Sequence, residues 1–179
     1  VKGQTAAAVL WHDSVPSSET TTYVLDTRTR RTYATRYSPP GLLSRSAMDD
    51  QIPLNAPAEK FLVFVSPAPV LGLGLIEELL QPTVTVFSQY DADPEPWAFS
   101  PPVFEEFLQR LEKFRRVVFL SGDVHFGLAA TLDYWKKGQA QPTRFIQYVS
   151  SGLKNQKFNN EKFLMSGLVQ NLLGSEFYP

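Results

Sequence analysis

The sequence has 179 residues, 43% of them apolar and 20% charged, which predicts one ordinary globular domain, residues 1–179, with its own core. Seventeen basic and eighteen acidic residues leave a formal net charge of -1, which excludes a broad basic surface for nucleic acid or an anionic membrane. No cysteine is present, so disulfides and thiolate metal ligands are excluded as well.

The sequence contains no run suited to a membrane span. The longest apolar stretch, residues 70–80, is interrupted by glycine and glutamate and is far shorter than the roughly 20 residues a spanning helix needs. We therefore expect a soluble protein. The chain starts at Val1 without a methionine or a leader, so we expect that processing or the choice of boundaries set its start. The cytoplasm and export of a longer parent are both compatible with this sequence.

The first third of the chain predicts β-structure. Residues 6–11, 22–26 and 31–36 are short apolar or β-branched runs, which predict three strands with a hairpin at residues 26–31. Residues 38–58 are rich in proline, which predicts a loop interrupted by a short helix near residues 42–52.

The rest of the chain alternates between strand and helix patterns. Residues 61–65 form an uninterrupted apolar run that predicts a strand buried on both faces, and the run at 117–120 predicts a further buried strand. Ser100 and two prolines open an amphipathic helix over residues 103–114. Other predicted elements are helices at 74–81 and 159–173 and strands at 83–87, 128–134 and 145–149. The whole pattern predicts an α/β (α+β) fold with mixed β-sheet layers flanked by helices.

The strand at residues 117–120 leads into the chemically most informative segment, Ser121-Gly122-Asp123-Val124-His125. A carboxylate and an imidazole at the carboxyl end of a strand lie where α/β sheets bind ligands, and both suit Zn, Mn or Fe. The alternative is purely structural: Asp123 caps a turn, and His125 begins the next strand as a half-buried residue whose hydrogen bonds are made locally. A serine hydrolase is a weaker alternative, because the sequence contains no Gly-x-Ser-x-Gly elbow.

Three other positions are candidates for the same site. Ser66 follows the apolar run at 61–65 and would be presented at the end of that strand. Arg28 suits a buried ion pair or phosphate recognition, and the alternative is a basic hairpin exposed to solvent. For Arg30 and Arg31 we prefer this exposed hairpin. Trp97 ends an acidic, proline-stiffened loop that suits a substrate mouth, with a solvated loop as the alternative. His12 is interpreted as a polar strand end outside the site.

Taken in chain order, these segments resemble the PhoD-like alkaline phosphatases. The resemblance spans most of the chain and rests on Leu25-Asp26-Thr27-Arg28, Phe64-Val65-Ser66-Pro67, Glu95-Pro96-Trp97, Phe119-Leu120-Ser121-Gly122-Asp123-Val124-His125-Phe126 and Ser150-Ser151-Gly152-Leu153. That family belongs to the calcineurin-like metallophosphoesterases. The resemblance therefore implies the C-terminal half of a four-layer sandwich of two mixed sheets and helices, and hydrolysis of phosphate monoesters or diesters by metal-activated water.

The resemblance also implies roles for individual residues. Asp123 stands where the superfamily commonly has the first histidine of Gly-His-x-His, and His125 matches the second, so both are expected to bind metal and to serve catalysis. Ser66 stands where many relatives have a metal-binding histidine. Two ions, drawn from Fe, Mn, Zn or Ca, are the implied cofactors. Arg28 and Trp97 are expected to contact the phosphate-ester substrate.

The earlier metal-binding motifs of that superfamily are not found in this sequence. The resemblance therefore implies the C-terminal part of a phosphatase domain, which is expected to be nearly inactive alone and to need the missing N-terminal half as a partner. The alternative function is a non-catalytic docking or structural module derived from the same fold.

Overall fold

The computed structural model of the protein describes residues 10–35, 38, 40–52, 61–72, 97–114, 116–122, 127–138 and 140–150. Within these residues the strands, in chain order, are β1 (Asp13–Pro16), β2 (Thr20–Val24), β3 (Thr32–Tyr33), β4 (Pro40–Gly41), β5 (Phe61–Ser66), β6 (Arg116–Ser121), β7 (Leu128–Tyr134) and β8 (Thr143–Val149). The helices are α1 (Arg45–Gln51), a 3-10 helix (Trp97–Phe99) and α2 (Pro101–Leu111).

The central feature is a mixed six-stranded sheet with the strand order β1-β2-β5-β6-β8-β7. β2, β5, β6 and β8 run parallel, while β1 and β7 are antiparallel to their neighbours at the two edges. In this register Phe64 of β5 lies between Tyr23 of β2 and Phe119 of β6. β3 and β4 form a separate two-stranded antiparallel sheet. Four parallel strands therefore end at one edge of the main sheet.

The helices begin where the local sequence favours a helix start. The Ser44 hydroxyl accepts a hydrogen bond from the Ala47 N–H at 3.2 Å, which caps α1. α2 begins with two prolines, Pro101 and Pro102, whose missing N–H groups cost nothing in the first turn. The Ser100 carbonyl accepts the N–H groups of Val103 and Phe104, both at 3.0 Å, although the Ser100 side chain makes no capping bond.

The core lies between α2 and one face of the sheet. Phe119 is fully buried, and its ring centroid lies 6.1 Å from that of Phe64, 5.9 Å from that of Phe107 and 5.8 Å from that of Phe145. Aromatic rings at these separations are in favourable contact beyond the area they bury. This row of rings joins three neighbouring strands to α2 and fixes the position of the helix over the sheet.

The opposite face of the sheet is also apolar, but none of its side chains belongs to the buried core cluster. Alternate residues of the same strands form this surface, which we call the open face: Val24, Val63, Val65, Val118, Leu120, Ile146 and Tyr148. Leu120 is 39% exposed and Tyr148 is 54% exposed, and the others are half-buried. Apolar patches of this kind commonly mark interaction surfaces.

Most sequence-based predictions that fall on described residues are confirmed. The fold is mixed α/β, with α1 inside the predicted 42–52 helix and α2 close to the predicted 103–114 helix. Strands predicted at 22–26, 61–65, 117–120, 128–134 and 145–149 correspond to β2, β5, β6, β7 and β8.

Two predictions are wrong. Residues 26–31 do not form a hairpin, because β2 pairs with β1 and β5, whereas β3 pairs with β4 in the second sheet. β5 is not fully buried on both faces, because its side chains alternate between full and partial burial. An uninterrupted apolar run predicts burial of both faces, but here one face is the open face.

Other predictions cannot be compared with the structure. The helices at 74–81 and 159–173 and the strand at 83–87 lie outside the described residues. Most of the strand expected at 6–11 lies outside as well, and residues 10 and 11 precede β1 rather than belonging to it. In the described parts of the chain, no helix has the length and apolar character to cross a membrane.

Candidate functional site

The carboxyl ends of β2, β5, β6 and β8 lie side by side, and backbone hydrogen bonds tie the segments that follow them. The Leu25 N–H donates to the Val65 carbonyl at 2.9 Å, and the Ser150 N–H donates to the Ser121 carbonyl at 2.9 Å. The Gly122 N–H donates to the carbonyl of Pro67 at 3.4 Å. We call this row of strand ends the carboxyl edge. Open α/β sheets bind ligands at such an edge.

Asp26 organises the first segment of the carboxyl edge. This buried carboxylate accepts the N–H of Arg28 at 3.0 Å and the N–H of Thr29 at 2.9 Å, and the Thr29 hydroxyl donates to it as well. Burial alone raises the pKa of Asp26, but these hydrogen bonds and the charge of His12 outweigh burial and hold the pKa below its ordinary value. The loop after β2 is therefore folded around an ionised aspartate.

Arg28, a predicted substrate-binding residue, lies on this loop with an exposed side chain. The structure thus places it at the carboxyl edge, and its role stays a prediction. The two neighbouring arginines are not a simple exposed turn, because Arg30 forms a 2.6 Å ion pair with Asp50 of α1. The side chain of Arg31 donates to the Thr27 carbonyl at 2.9 Å.

Ser66 and Trp97 lie together beneath the carboxyl edge. Ser66 is the last residue of β5 and is 1% exposed, and its hydroxyl donates to the Ala68 carbonyl at 2.6 Å. The indole N–H of Trp97, which is 2% exposed, donates to the same hydroxyl at 3.4 Å. The Trp97 ring also packs on Phe107, with centroids 4.2 Å apart. Both side chains thus support the floor of the edge, and their predicted contacts with metal and substrate stay predictions.

Asp123 and His125, the central candidates, lie outside the described residues. The structure does define the end of β6 that leads into them. A Cβ atom on Gly122 would lie 3.2 Å from the Ser150 carbonyl oxygen, so this position favours a residue without a side chain. The Ser121 hydroxyl is buried, and it has no hydrogen-bond partner among the described residues.

Two glutamines at this edge were not identified from the sequence. Gln51 of α1 and Gln147 of β8 are buried, and both bond to backbone groups of segments that follow parallel strands. Gln147 occupies a core-facing position of β8 between Phe145 and Val149. A polar residue at such a position usually makes buried hydrogen bonds, so this pattern could have identified Gln147 from the sequence. No comparable sequence pattern distinguishes Gln51.

His12 was interpreted as lying outside the site, and this stays a prediction, although the residue contributes to the lowered pKa of Asp26. Its Nδ1 atom is buried without a hydrogen-bond partner among the described residues. The described residues also contain no group of three or more His, Cys, Asp or Glu side chains that could hold a metal ion. The described part of the edge therefore does not make a metal centre by itself.

A solved structure of PhoD is similar to this chain, with a TM-score of 0.56 and 15% sequence identity over 83% of this chain. The match covers 30% of the PhoD chain, so this protein spans less than a third of that length. No family model matches the sequence. No curated protein matches it either. At this identity the similarity establishes a PhoD-like fold, which agrees with the family that the motifs resemble.

Proposed function

We propose that this chain carries the C-terminal part of the active site of a metal-dependent, PhoD-like phosphoesterase. The main support is the carboxyl edge of three adjacent parallel strands, where the Arg28 loop follows β2, Ser66 ends β5 and Gly122 follows β6. Gly122 leads directly into Asp123 and His125 in the sequence. The PhoD-like fold is consistent with this arrangement.

In this proposal, Asp123 and His125 bind metal or orient the attacking water. A carboxylate and an imidazole fit Fe, Mn or Zn, and the carboxylate also suits Ca. Two bound ions would polarise a phosphoryl oxygen and lower the pKa of a bound water. Since the described residues add no further cluster of ligands, the remaining ligands must come from elsewhere in the complete protein.

Arg28 binds the phosphate ester in this proposal. Its backbone N–H is fixed by Asp26, so the residue has a defined place at the carboxyl edge while its side chain remains exposed. A guanidinium offers paired donors that match two phosphate oxygens. Trp97 acts through Ser66, because its buried indole donates to that hydroxyl and holds it in the floor of the site.

We further propose that the missing N-terminal half of the domain is the partner of this chain. The open face reaches the carboxyl edge, since Val65 and Leu120 immediately precede the terminal residues of β5 and β6. A partner that covered this face would bury Leu120 and Tyr148 and could bring further ligands to the edge. The isolated chain is therefore expected to have little or no activity.

The open face also favours a second candidate function, a non-catalytic docking module. In that case, binding would use the same apolar side chains, and Asp123 and His125 would serve only the local turn. The two functions differ in what the complete protein does. A phosphoesterase loses hydrolysis when His125 is replaced, whereas a docking module has no hydrolysis to lose.

The test compares the purified chain with the longest natural chain that contains it. Bound metal and hydrolysis of an aryl phosphate monoester and diester are measured after addition of Mn, Zn, Fe or Ca separately. We expect hydrolysis by the longer chain and a loss of about 100-fold or more in kcat on His125→Ala. Asp123→Asn should act similarly.

Asp133→Asn is the matched control for Asp123→Asn. Asp133 lies on β7 opposite Arg144, which is near the amino end of β8 and therefore far from the carboxyl edge. Its replacement should leave bound metal and kcat unchanged. A longer chain that neither binds metal nor hydrolyses either ester would exclude the phosphoesterase and leave the docking module.

A further inference from the structure

Gln147 makes an unusual set of contacts for a residue in the middle of a strand. It is 0% exposed, and its Oε1 accepts the Val70 N–H at 2.7 Å and the Leu71 N–H at 2.8 Å. Its Nε2 donates to the Leu71 carbonyl at 2.6 Å. A buried carboxamide is tolerated when its hydrogen bonds are made. Here three bonds go to two consecutive residues of the loop that follows β5.

The loop held by Gln147 also contacts the end of β6. Residues 67–72 follow Ser66, and the Pro67 carbonyl accepts the Gly122 N–H. The hydroxyl of Ser66 donates to Ala68 in the same loop. Gln147 is thus connected to Gly122 through one short stretch of backbone. A shift of that stretch would move the residue from which Asp123 and His125 continue.

Gln51 holds the loop after β2 in a parallel manner. Its Oε1 accepts the Asp26 N–H at 2.8 Å and its Nε2 donates to the Asp26 carbonyl at 3.4 Å. Asp26 in turn holds the N–H groups of Arg28 and Thr29. Each glutamine therefore ties one loop of the carboxyl edge, and the two loops carry different candidate site residues.

We propose that Gln147 and Gln51 are positioning residues of the carboxyl edge. Gln147 fixes the 67–72 loop and, through it, Gly122 and the start of the predicted metal-binding segment. Gln51 fixes the Asp26 loop and with it Arg28. The loss of either carboxamide would leave buried backbone groups without partners, so the loop would move to regain hydrogen bonds. The effect on catalysis rests on the proposed function, whereas the effect on the loops does not.

The first test measures amide hydrogen exchange by NMR in the 179-residue chain, with Gln147→Met and Gln51→Met as a matched pair. Methionine keeps the approximate length of glutamine and removes all of its hydrogen bonds. We expect Gly122 to exchange at least about tenfold faster in Gln147→Met but at the wild-type rate in Gln51→Met. Thr29 should show the reverse pattern.

Equal exchange of Gly122 in the two variants, whether unchanged or accelerated, would overturn the assignment of Gln147. If the methionine variants do not fold, Gln147→Asn and Gln51→Asn make the same comparison. Asparagine keeps the carboxamide without adding a charge, but it is one methylene shorter and loses reach to the backbone groups of the loop. The expected effects then have the same pattern and are smaller.

The second test measures steady-state hydrolysis in the longest natural chain. We expect Gln147→Met to lower kcat about tenfold with little change in KM, and Gln51→Met to raise KM with a smaller effect on kcat. Equal changes in both parameters for both variants would overturn separate positioning roles. A wild-type chain without hydrolysis would refute the proposed function, and the exchange experiment would still decide whether the two loops are held as described.

Discussion

The two faces of the central sheet are built from the same strands, yet they differ in what they contact. On the core face, Phe64, Phe119 and Phe145 are fully buried against each other and against α2. On the open face, Leu120 of β6 and Tyr148 of β8 come from two of the three strands in that row and remain exposed to solvent. Alternation along β6 and β8 thus separates a buried surface that packs against α2 from a surface that is partly exposed to solvent.

Because of this difference, we expect the two faces to contribute unequally to the stability of the fold. Apolar area removed from water stabilises a folded chain in proportion to its extent, so the core face should account for most of the stability. The open face should contribute little until a partner covers it. Substitutions on the two faces can therefore be compared directly by their effect on the free energy of unfolding. The carboxyl edge lies between the two faces.

The largest expected effect is on the core face. Phe119→Ala removes a ring that contacts three other rings, and it should lower the free energy of unfolding by about 3–5 kcal/mol. Urea denaturation of the variant measures this change. A loss below 1 kcal/mol, roughly the scale of a surface substitution, would contradict the assignment of the core to this face.

Packing beneath α2 can be tested by adding volume instead of removing it. A Cβ atom on Gly41 would lie 2.5 Å from Val103 Cγ2 and 2.8 Å from Thr32 Cγ2, so Gly41→Ala forces these groups apart. We expect a loss of about 1–3 kcal/mol in the free energy of unfolding. Combining Gly41→Ala with Val103→Ala should restore part of that loss, and no recovery would argue against a direct clash.

Asp26 predicts a pH-dependent effect at the carboxyl edge. Because its pKa is lower in the folded protein than in the unfolded chain, the charged form stabilises the fold. That contribution is complete above the unfolded pKa of about 4 and disappears as the pH falls through the folded pKa. Asp26→Asn, which cannot titrate, should cost about 1 kcal/mol at neutral pH.

Urea denaturation between pH 7 and pH 2 measures the Asp26 contribution directly. The difference between wild type and Asp26→Asn should be constant down to about pH 4 and then shrink. A difference that grew as the pH fell would mean that the folded pKa is raised rather than lowered. Asp133→Asn is not a matched control here, because its carboxylate is paired with Arg144 and its pKa is lowered too.

The smallest effect on stability is expected on the open face. Leu120→Ser should change the free energy of unfolding by no more than about 0.5 kcal/mol, because the side chain is already partly in solvent. Under the proposed function, the same substitution should weaken binding of the N-terminal half of the domain. Binding affinity and urea denaturation of one variant therefore separate the two faces, and a large loss of stability would show that the open face belongs to the core.

Local sequence patterns predicted much of this fold. The prolines after Ser100 and the apolar spacing of Phe107 and Leu111 predicted α2, since helix starts and helix faces depend on neighbouring residues. The apolar runs at β5 and β6 predicted two strands with polar residues at their ends, although only one face of each strand is fully buried. The carboxyl edge was therefore anticipated as the place where candidate residues meet, although Asp123 and His125 themselves lie outside the described residues.

Other features depended on contacts between distant parts of the chain. The sequence predicted a hairpin after β2, but β2 instead pairs in parallel with β5, and each paired residue, such as Phe61 opposite Thr20, lies 41 positions further along the chain. Ser66 was predicted to be presented at a strand end and Trp97 at a substrate mouth, and only the packing of α2 and the 3-10 helix shows that both are buried.

By itself, the sequence determined most of the described strands and helices, but not β1 or β4, together with the near-neutral charge and the polar residues at strand ends. These properties follow from backbone geometry and side-chain periodicity over a few residues. The tertiary structure decided the strand order, the contrast between the core and open faces, and the partners of Gln51 and Gln147. Gln147 and Leu71 are 76 residues apart, and no local pattern can specify a hydrogen bond whose formation depends on the complete sheet.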